Sequence, residues 1–199
     1  MMIQLKNFYF IRHGETDWNF ENRCMGQLDI PLNATGKKQA EHAKRLLRNA
    51  DIKTICFSPL VRAKETALIL NEAIDCSLVE IESLKECKWG ELEGVIKGDG
   101  SIFNKWEEGG TPFGAESFTT FLQRTVEGIN EALTYPNPLI VSHGGVYWTF
   151  LKAIGQENNP LSKLPNAIPI YHRSPVAIHE PWFISALDKN YDLEQYEEY

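Results

Sequence analysis

Two histidines in this chain stand where apolar runs end, and glycine follows each: Arg12-His13-Gly14 after Phe8-Tyr9-Phe10-Ile11, and Ser142-His143-Gly144-Gly145 after Pro138-Leu139-Ile140-Val141. Short apolar runs of this kind predict strands covered on both faces. In open α/β sheets, ligands bind beyond the carboxyl ends of the strands, so both histidines are expected at that edge. The run Thr54-Ile55-Cys56-Phe57 brings Ser58 to the same edge and, one helical turn on, Arg62. A weaker strand, Ser77 to Ile81, leads through a short loop to Glu86. Two arginines, two histidines and one carboxylate are therefore expected to converge.

These residue types suit work on a phosphate ester. Arginine forks match phosphate oxygens in pairs. Gly144 and Gly145 at a helix start would offer backbone N–H groups to an anion. One histidine, protonated, would add positive charge, and the other could attack phosphorus and split one displacement into two. A carboxyl group could protonate the leaving oxygen and then activate water. Residue type alone does not say which histidine attacks. Glu86 has no obvious cationic partner in the sequence. His42, His172 and His179 lack such a setting and are read as surface or core histidines. There is no H-x-x-x-H, H-x-H or C-x-x-C spacing for zinc, no G-x-x-x-x-G-K-[ST], and no G-x-S-x-G. Neither a metal nor a cofactor is expected.

Strands must alternate with helices to hold these groups. Helices are predicted from about Ala34 to Arg48, after Pro59, from about Ala115 to Leu133, and from Gly145 to Ile154, each with apolar positions at helical spacing. Gly90 to Gly114 reads as irregular. Extended pieces near 167–171 and 176–179 close the core, and the tail after Leu187 is polar and acidic. The pattern predicts a three-layer α/β/α sandwich around a mostly parallel sheet, with an antiparallel edge strand. No repeat or linker divides residues 1–199, so a single domain is expected.

The bulk numbers narrow the setting. A formal charge of −7 disfavours nucleic acid and anionic membranes as partners, and positive potential must be made locally. The four cysteines form no close pair, the N-terminus is too polar for a signal peptide, and no apolar run reaches the length of a membrane span. A cytoplasmic protein acting on a small phosphorylated metabolite is expected. Oligomeric state has no sequence signal.

Arg12-His13-Gly14-Glu15-Thr16 begins a series of blocks in which the chain resembles the histidine phosphatase superfamily, the phosphoglycerate-mutase-like proteins. Trp18-Asn19 follows, then Gly26, Asp29, Pro31-Leu32 and Gly36. Next come Ser58-Pro59-Leu60 with Arg62-Ala63, Leu84-Lys85-Glu86 with Gly90-Glu91-Leu92-Glu93-Gly94, and Ser142-His143-Gly144-Gly145. The resemblance implies that His13 is the phosphorylated nucleophile. Arg12, Arg62 and His143 would form the phosphate pocket with a contribution from Asn19, Glu86 would be the proton donor, and Ser58 would steady His13. A block usually read as Gly-Gly-Glu-Ser stands here as Gly114-Ala115-Glu116-Ser117. Met25 occupies a position where phosphatase-like members often carry glutamine, and the Lys-Tyr-Gly and Trp-Arg-Arg pattern of true phosphoglycerate mutases is missing. Between Gly94 and Gly114 there are two lysines, Lys97 and Lys105, against Asp99, Glu107 and Glu108, and no arginine. A mutase must retain a carboxylate-bearing intermediate, so this balance favours a metal-independent phosphomonoesterase. Phosphoglycerate-mutase-type isomerisation is the alternative.

Overall fold

The structure, a computed structural model, describes residues 2–98, 101–177 and 180–188, and for 101–103 the backbone alone. Its strands are β1 (Phe8–Arg12), β2 (Thr54–Phe57), β3 (Ser77–Glu80), β4 (Pro138–Ser142), β5 (Ile170–Arg173) and β6 (Phe183–Ala186). They form one sheet in the order β3-β2-β4-β1-β5-β6. The β3-β2, β2-β4 and β4-β1 pairs are parallel; β1-β5 and β5-β6 are antiparallel. The helices are α1 (Asp17–Phe20), α2 (Ala34–Leu47), α3 (Val61–Ile74), α4 (Ser101–Glu107), α5 (Phe118–Thr134) and α6 (Gly144–Ala153).

Alternation along the strands splits the core in two. Ile11, Ile55, Leu139 and Val141 pack with Ala43 and Leu47 of α2 and with Ala63, Ala67 and Leu70 of α3. Phe10, Cys56 and Ile140 point the other way, against Phe121, Val126 and Ile129 of α5 and Val146, Tyr147 and Phe150 of α6. Both sheet faces are thus covered, which is why the strands read as unbroken apolar runs. The expected three-layer sandwich is present, and its antiparallel side carries two strands.

Local chemistry sets the helix starts. Asn33 Oδ1 accepts from Gly36 N at 2.8 Å and begins α2. Ser117 Oγ accepts from Thr120 N at 3.2 Å, so α5 starts at Phe118 and not at Ala115. Two helices escape the periodicity reading. The four-residue α1 is defined by a capping box between Thr16 and Asn19. The other, α4, lies inside the stretch expected to be irregular. It is fastened by Trp106, which is buried, donates Nε1–H to Glu116 O at 2.8 Å, and lies edge-on to Phe118. Glu107 beside it is ion-paired with Lys152.

The expected extended pieces are displaced. Ala167 has φ 54°, which no strand accommodates, so β5 begins only at Ile170. The last strand is Phe183–Ala186, beyond the expected 176–179. Ile178, His179 and the tail from Lys189 lie outside the described residues. All four cysteines are free. Among the described residues no helix is long and apolar enough to cross a membrane.

Candidate active site

Because β2, β4 and β1 are parallel neighbours, their carboxyl ends share one edge. Arg12 pairs with Ser142 and Phe57 with Val141. The next residues, His13, His143 and Ser58, therefore stand in adjacent rows. His13 N donates to Ser142 O at 2.9 Å and Ser58 N to Val141 O at 3.0 Å, carrying the ladder one step further. The two imidazole rings lie 5.2 Å apart, centre to centre.

His13 is oriented by its neighbour. Its Nδ1 lies 2.7 Å from Gly14 O. A carbonyl only accepts, so the hydrogen sits on Nδ1 and the lone pair on Nε2. Nε2 accepts from Arg62 Nε at 3.2 Å. Burial, followed by the charges of Arg62 and Arg12, holds the His13 pKa well below the usual histidine value, so the ring is neutral at ordinary pH. Arg62 is itself fully buried, with Nη1 donating to Leu28 O and Nη2 to Gly26 O, both at 2.8 Å. Burial pushes its pKa down to about 10, which leaves it charged near neutrality.

Arg12 spends Nη1 on Leu164 O at 3.0 Å, whereas its buried Nε has no protein partner. Glu86 is held from two sides. Its Oε1 accepts from Cys87 N at 2.9 Å, and its Oε2 from Gly145 N, in the first turn of α6, at 3.0 Å. A Cβ at residue 145 would stand 2.2 Å from Glu86 Oε1, which explains the second glycine of the Gly-Gly pair. Contrary to the sequence impression, Glu86 has cationic company: Arg12, Arg62 and Lys97 all feel its charge. Asn19 Oδ1 is occupied by Thr16 N and Thr16 Oγ1, both at 3.1 Å, so its amide N–H groups are what it can offer an anion.

A cavity of about 710 Å³ joins these groups. Arg12, His13, Asn19, Arg62, Glu86 and Gly144 all line it. His143 and Ser58 sit behind that wall, both fully buried. Ser58 is corrected in its partner: its Oγ lies 2.8 Å from His143 Nε2, because β4 separates β2 from β1 and shields His13 from it. His143 is corrected in its charge. Burial, then Arg62 and His13, keeps its pKa well below the usual value, so positive potential comes from the arginines. With Ser58 engaging Nε2, the buried Nδ1 is left without a protein partner.

Of the cations counted between Gly94 and Gly114, Lys97 reaches the cavity, and two residues that the sequence reading does not single out join it. Lys97 lines it from a short ladder in which Gly94 N donates to Cys24 O, Cys24 N to Val95 O and Lys97 N to Asn22 O, at 2.8 to 2.9 Å. Burial and Arg12 lower its pKa. Lys163 and Asn166 line the cavity from the loop before β5, and Asn166 Nδ2 donates to His13 O at 2.9 Å. Nothing in the residue types of that loop marks it out. The charge count over residues 95–113 also changes meaning. Glu107 is neutralised by Lys152, Glu108 is not among the lining residues, and Lys97 is. Among the described residues no three His, Cys, Asp or Glu side chains are grouped to hold a metal ion.

A neutral histidine, two arginines and a carboxyl held at a helix N-terminus thus meet at the switch edge of a doubly covered sheet. The chain belongs to the histidine phosphatase superfamily (branch 1), whose family model matches residues 8–168. It is 36% identical over 167 residues to the uncharacterized phosphatase PhoE of Bacillus subtilis, covering 79% of this chain and 82% of that one. It is 37% identical over 150 residues to the probable phosphoglycerate mutase GpmB of Klebsiella pneumoniae, with 68% of each covered. A phosphoglycerate mutase structure from Thermus thermophilus superposes with TM-score 0.72 at 28% identity, over 91% of this chain and 98% of that one. A mycobacterial glucosyl-3-phosphoglycerate phosphatase complexed with VO3 superposes with TM-score 0.77 over 90% and 97%, at 22% identity, a likeness of fold alone.

Proposed function

We propose that this protein is a metal-independent phosphomonoesterase acting on a small phosphorylated metabolite through a phosphohistidine at His13. The observation that carries this reading is the 2.7 Å contact from His13 Nδ1 to Gly14 O, which leaves the Nε2 lone pair beside Arg62 on the cavity floor. In the first step Nε2 attacks phosphorus and the bond from phosphorus to the leaving oxygen breaks. Glu86 delivers a proton to that oxygen. Arg62 Nε, Arg12 Nε, the Asn19 amide and the Gly144 N–H supply donors for the phosphoryl oxygens, with His143 buried directly behind them. In the second step water attacks phosphorus, its proton passes to Glu86, and the P–N electron pair returns to His13 Nε2.

A phosphoramidate survives alkali and is lost in acid. Brief mixing with a labelled phosphate ester should therefore leave label on the wild-type protein that is stable in base and labile in acid. Equal labelling of His13→Ala would refute the assignment.

The mutase alternative keeps support from Lys97 and Lys163 in the cavity wall and from the relatives that carry that name. Hydrolysis is the preferred reading because the arginines lining the cavity are Arg12 and Arg62, both at its floor. A substrate carboxylate would meet single lysines and no paired fork. Incubation with 3-phosphoglycerate and catalytic 2,3-bisphosphoglycerate separates the two. Rapid formation of 2-phosphoglycerate, outpacing phosphate release from any ester, would establish the mutase.

A further inference from the structure

The Gly114-Ala115-Glu116-Ser117 block has no part in the chemistry above, and neither Glu116 nor Arg124 lines the cavity. They nevertheless form a densely bonded pair behind it. Arg124, on α5, donates Nε and Nη2 to the two oxygens of Glu116 at 3.0 and 2.7 Å. Its other N–H groups go to backbone carbonyls. Nη1 reaches Ser83 O at 3.0 Å and Lys85 O at 2.7 Å, and Nη2 reaches Glu86 O at 3.2 Å. All five guanidinium donors are used. Glu116 Oε2 accepts in return from Lys88 N at 3.0 Å. The carbonyls of residues 83, 85 and 86 and the amide of residue 88 are thus tied to one fork, and Glu86 sits in the middle of that run.

We infer that the Arg124–Glu116 pair is a positioning device for Glu86, fixing where its carboxyl stands against the leaving oxygen. The inference rests on Glu86 as the proton donor. The turn from 82 to 88 has only one short 3-10 segment, Glu82–Leu84, to shape it. Side-chain bonds do the rest: the fork and Gln27 Nε2 hold the Glu86 carbonyl, and the α6 amide of Gly145 holds its carboxylate. If the fork is lost, the Ser83 and Lys85 carbonyls need new partners, the Glu86 carbonyl keeps only Gln27, and the turn shifts. Arg12 ends β1, His13 follows it and Arg62 stands on α3, and all three keep their own bonds. The damage should therefore fall on the step that needs a proton.

A lysine at position 124 keeps the charge but offers three donors and no planar fork. Arg124→Lys, Glu116→Gln and Glu86→Gln are compared on alkyl phosphates, whose leaving oxygens need a proton, and on 4-nitrophenyl phosphate, whose leaving group needs little. Arg124→Lys and Glu116→Gln should lower kcat on alkyl esters on the order of 10-fold to 100-fold, the scale of an ångström of misplacement. The loss on 4-nitrophenyl phosphate should be several-fold smaller, the same skew as in Glu86→Gln. Gly128→Ala tests the turn without touching charge, since a Cβ there would lie 2.9 Å from the Ser83 carbonyl carbon. It should show the skew too, so the inference stays testable if Arg124→Lys folds poorly. Equal losses on both substrates in these variants, beside a skewed Glu86→Gln, overturn the positioning role alone. An unskewed Glu86→Gln overturns the proton-donor reading and this inference with it.

Discussion

Arg62→Lys keeps a positive charge on the cavity floor and removes a fork that is itself fully buried. Arg62 is fully buried and spends its donors on Leu28 O, Gly26 O and His13 Nε2. Leu28 O keeps a bond from Ile30 N, but an ammonium that turns away from Gly26 O leaves a buried acceptor without its Arg62 partner, at about 1–3 kcal/mol. In a chain of this length each kcal/mol moves Tm by about 2–4 °C, so a fall of roughly 2–12 °C is expected. The lost Nε donor, a charged hydrogen bond of about 1.5–3 kcal/mol, should lower kcat/KM roughly 10-fold to 150-fold. Arg62→Gln adds a test of charge. His13 is kept neutral first by burial and next by Arg62, so removing that charge lets its pKa rise. The acid limb of kcat/KM should then move to higher pH in Arg62→Gln and stay in place in Arg62→Lys. Thermal scans and pH profiles on one aryl phosphate, for which the titration of the substrate cancels between variants, read both effects. An Arg62→Lys protein with unchanged Tm and activity within twofold would refute the reasoning, as would an Arg62→Gln acid limb that stays put.

Exhaustive chelation should leave turnover intact, because Arg12 and Arg62 already supply positive charge where phosphate would sit; restoration of lost activity by a divalent ion would show the reverse. Ser58→Ala takes away the 2.8 Å partner of His143 Nε2 in a buried setting and should cost about 1–3 kcal/mol, with a drop in kcat/KM as the imidazole loses its fixed tautomer. An unchanged Tm would contradict the assignment of that contact. Acid should destabilise the fold early. His13 and His143 have folded pKa values well below 6.5 and His172 is held at about 3, chiefly by burial in each case. The unfolded chain therefore binds more protons below its own histidine pKa, and stability present above that value is lost as pH falls. Each such histidine contributes about 1.4 kcal/mol per pH unit through that window. Denaturant midpoints that stay level from pH 7 to pH 5 would count against neutral burial.

The site was legible in the sequence to the extent that it hangs on β1, β2 and β4. Helices cover both faces of those strands, so each had to be apolar throughout, and a polar residue at the end of such a run marks the ligand edge. Strand order was not legible. Ser58, His143 and His13 are equivalent by rule, and only the placement of β4 in the middle assigns Ser58 to His143. Burial was not legible either: a histidine beside arginines reads as a candidate cation until its desolvation is known. Lys97 faces the cavity because of a ladder between residues 22–24 and 94–97, a long-range pairing without periodicity. The helix α1 is written in a capping box, a signal four residues long. The Glu116 block could be seen as a motif, but its partners lie on α5 and in the turn before Glu86.

The outer wall of the cavity is fastened at one end by the 94–97 ladder and at the other by Trp106 on Glu116 O and Glu107 on Lys152. Among the described residues, no hydrogen bond links this wall to Arg12, His13 or Arg62. The molecule is therefore modular at the scale of a single pocket. What remains between the two is charge alone: Lys97 on the wall and Arg12 on the floor repel one another, so an uncharged residue at position 97 would alter the field over the floor without taking a hydrogen bond from it.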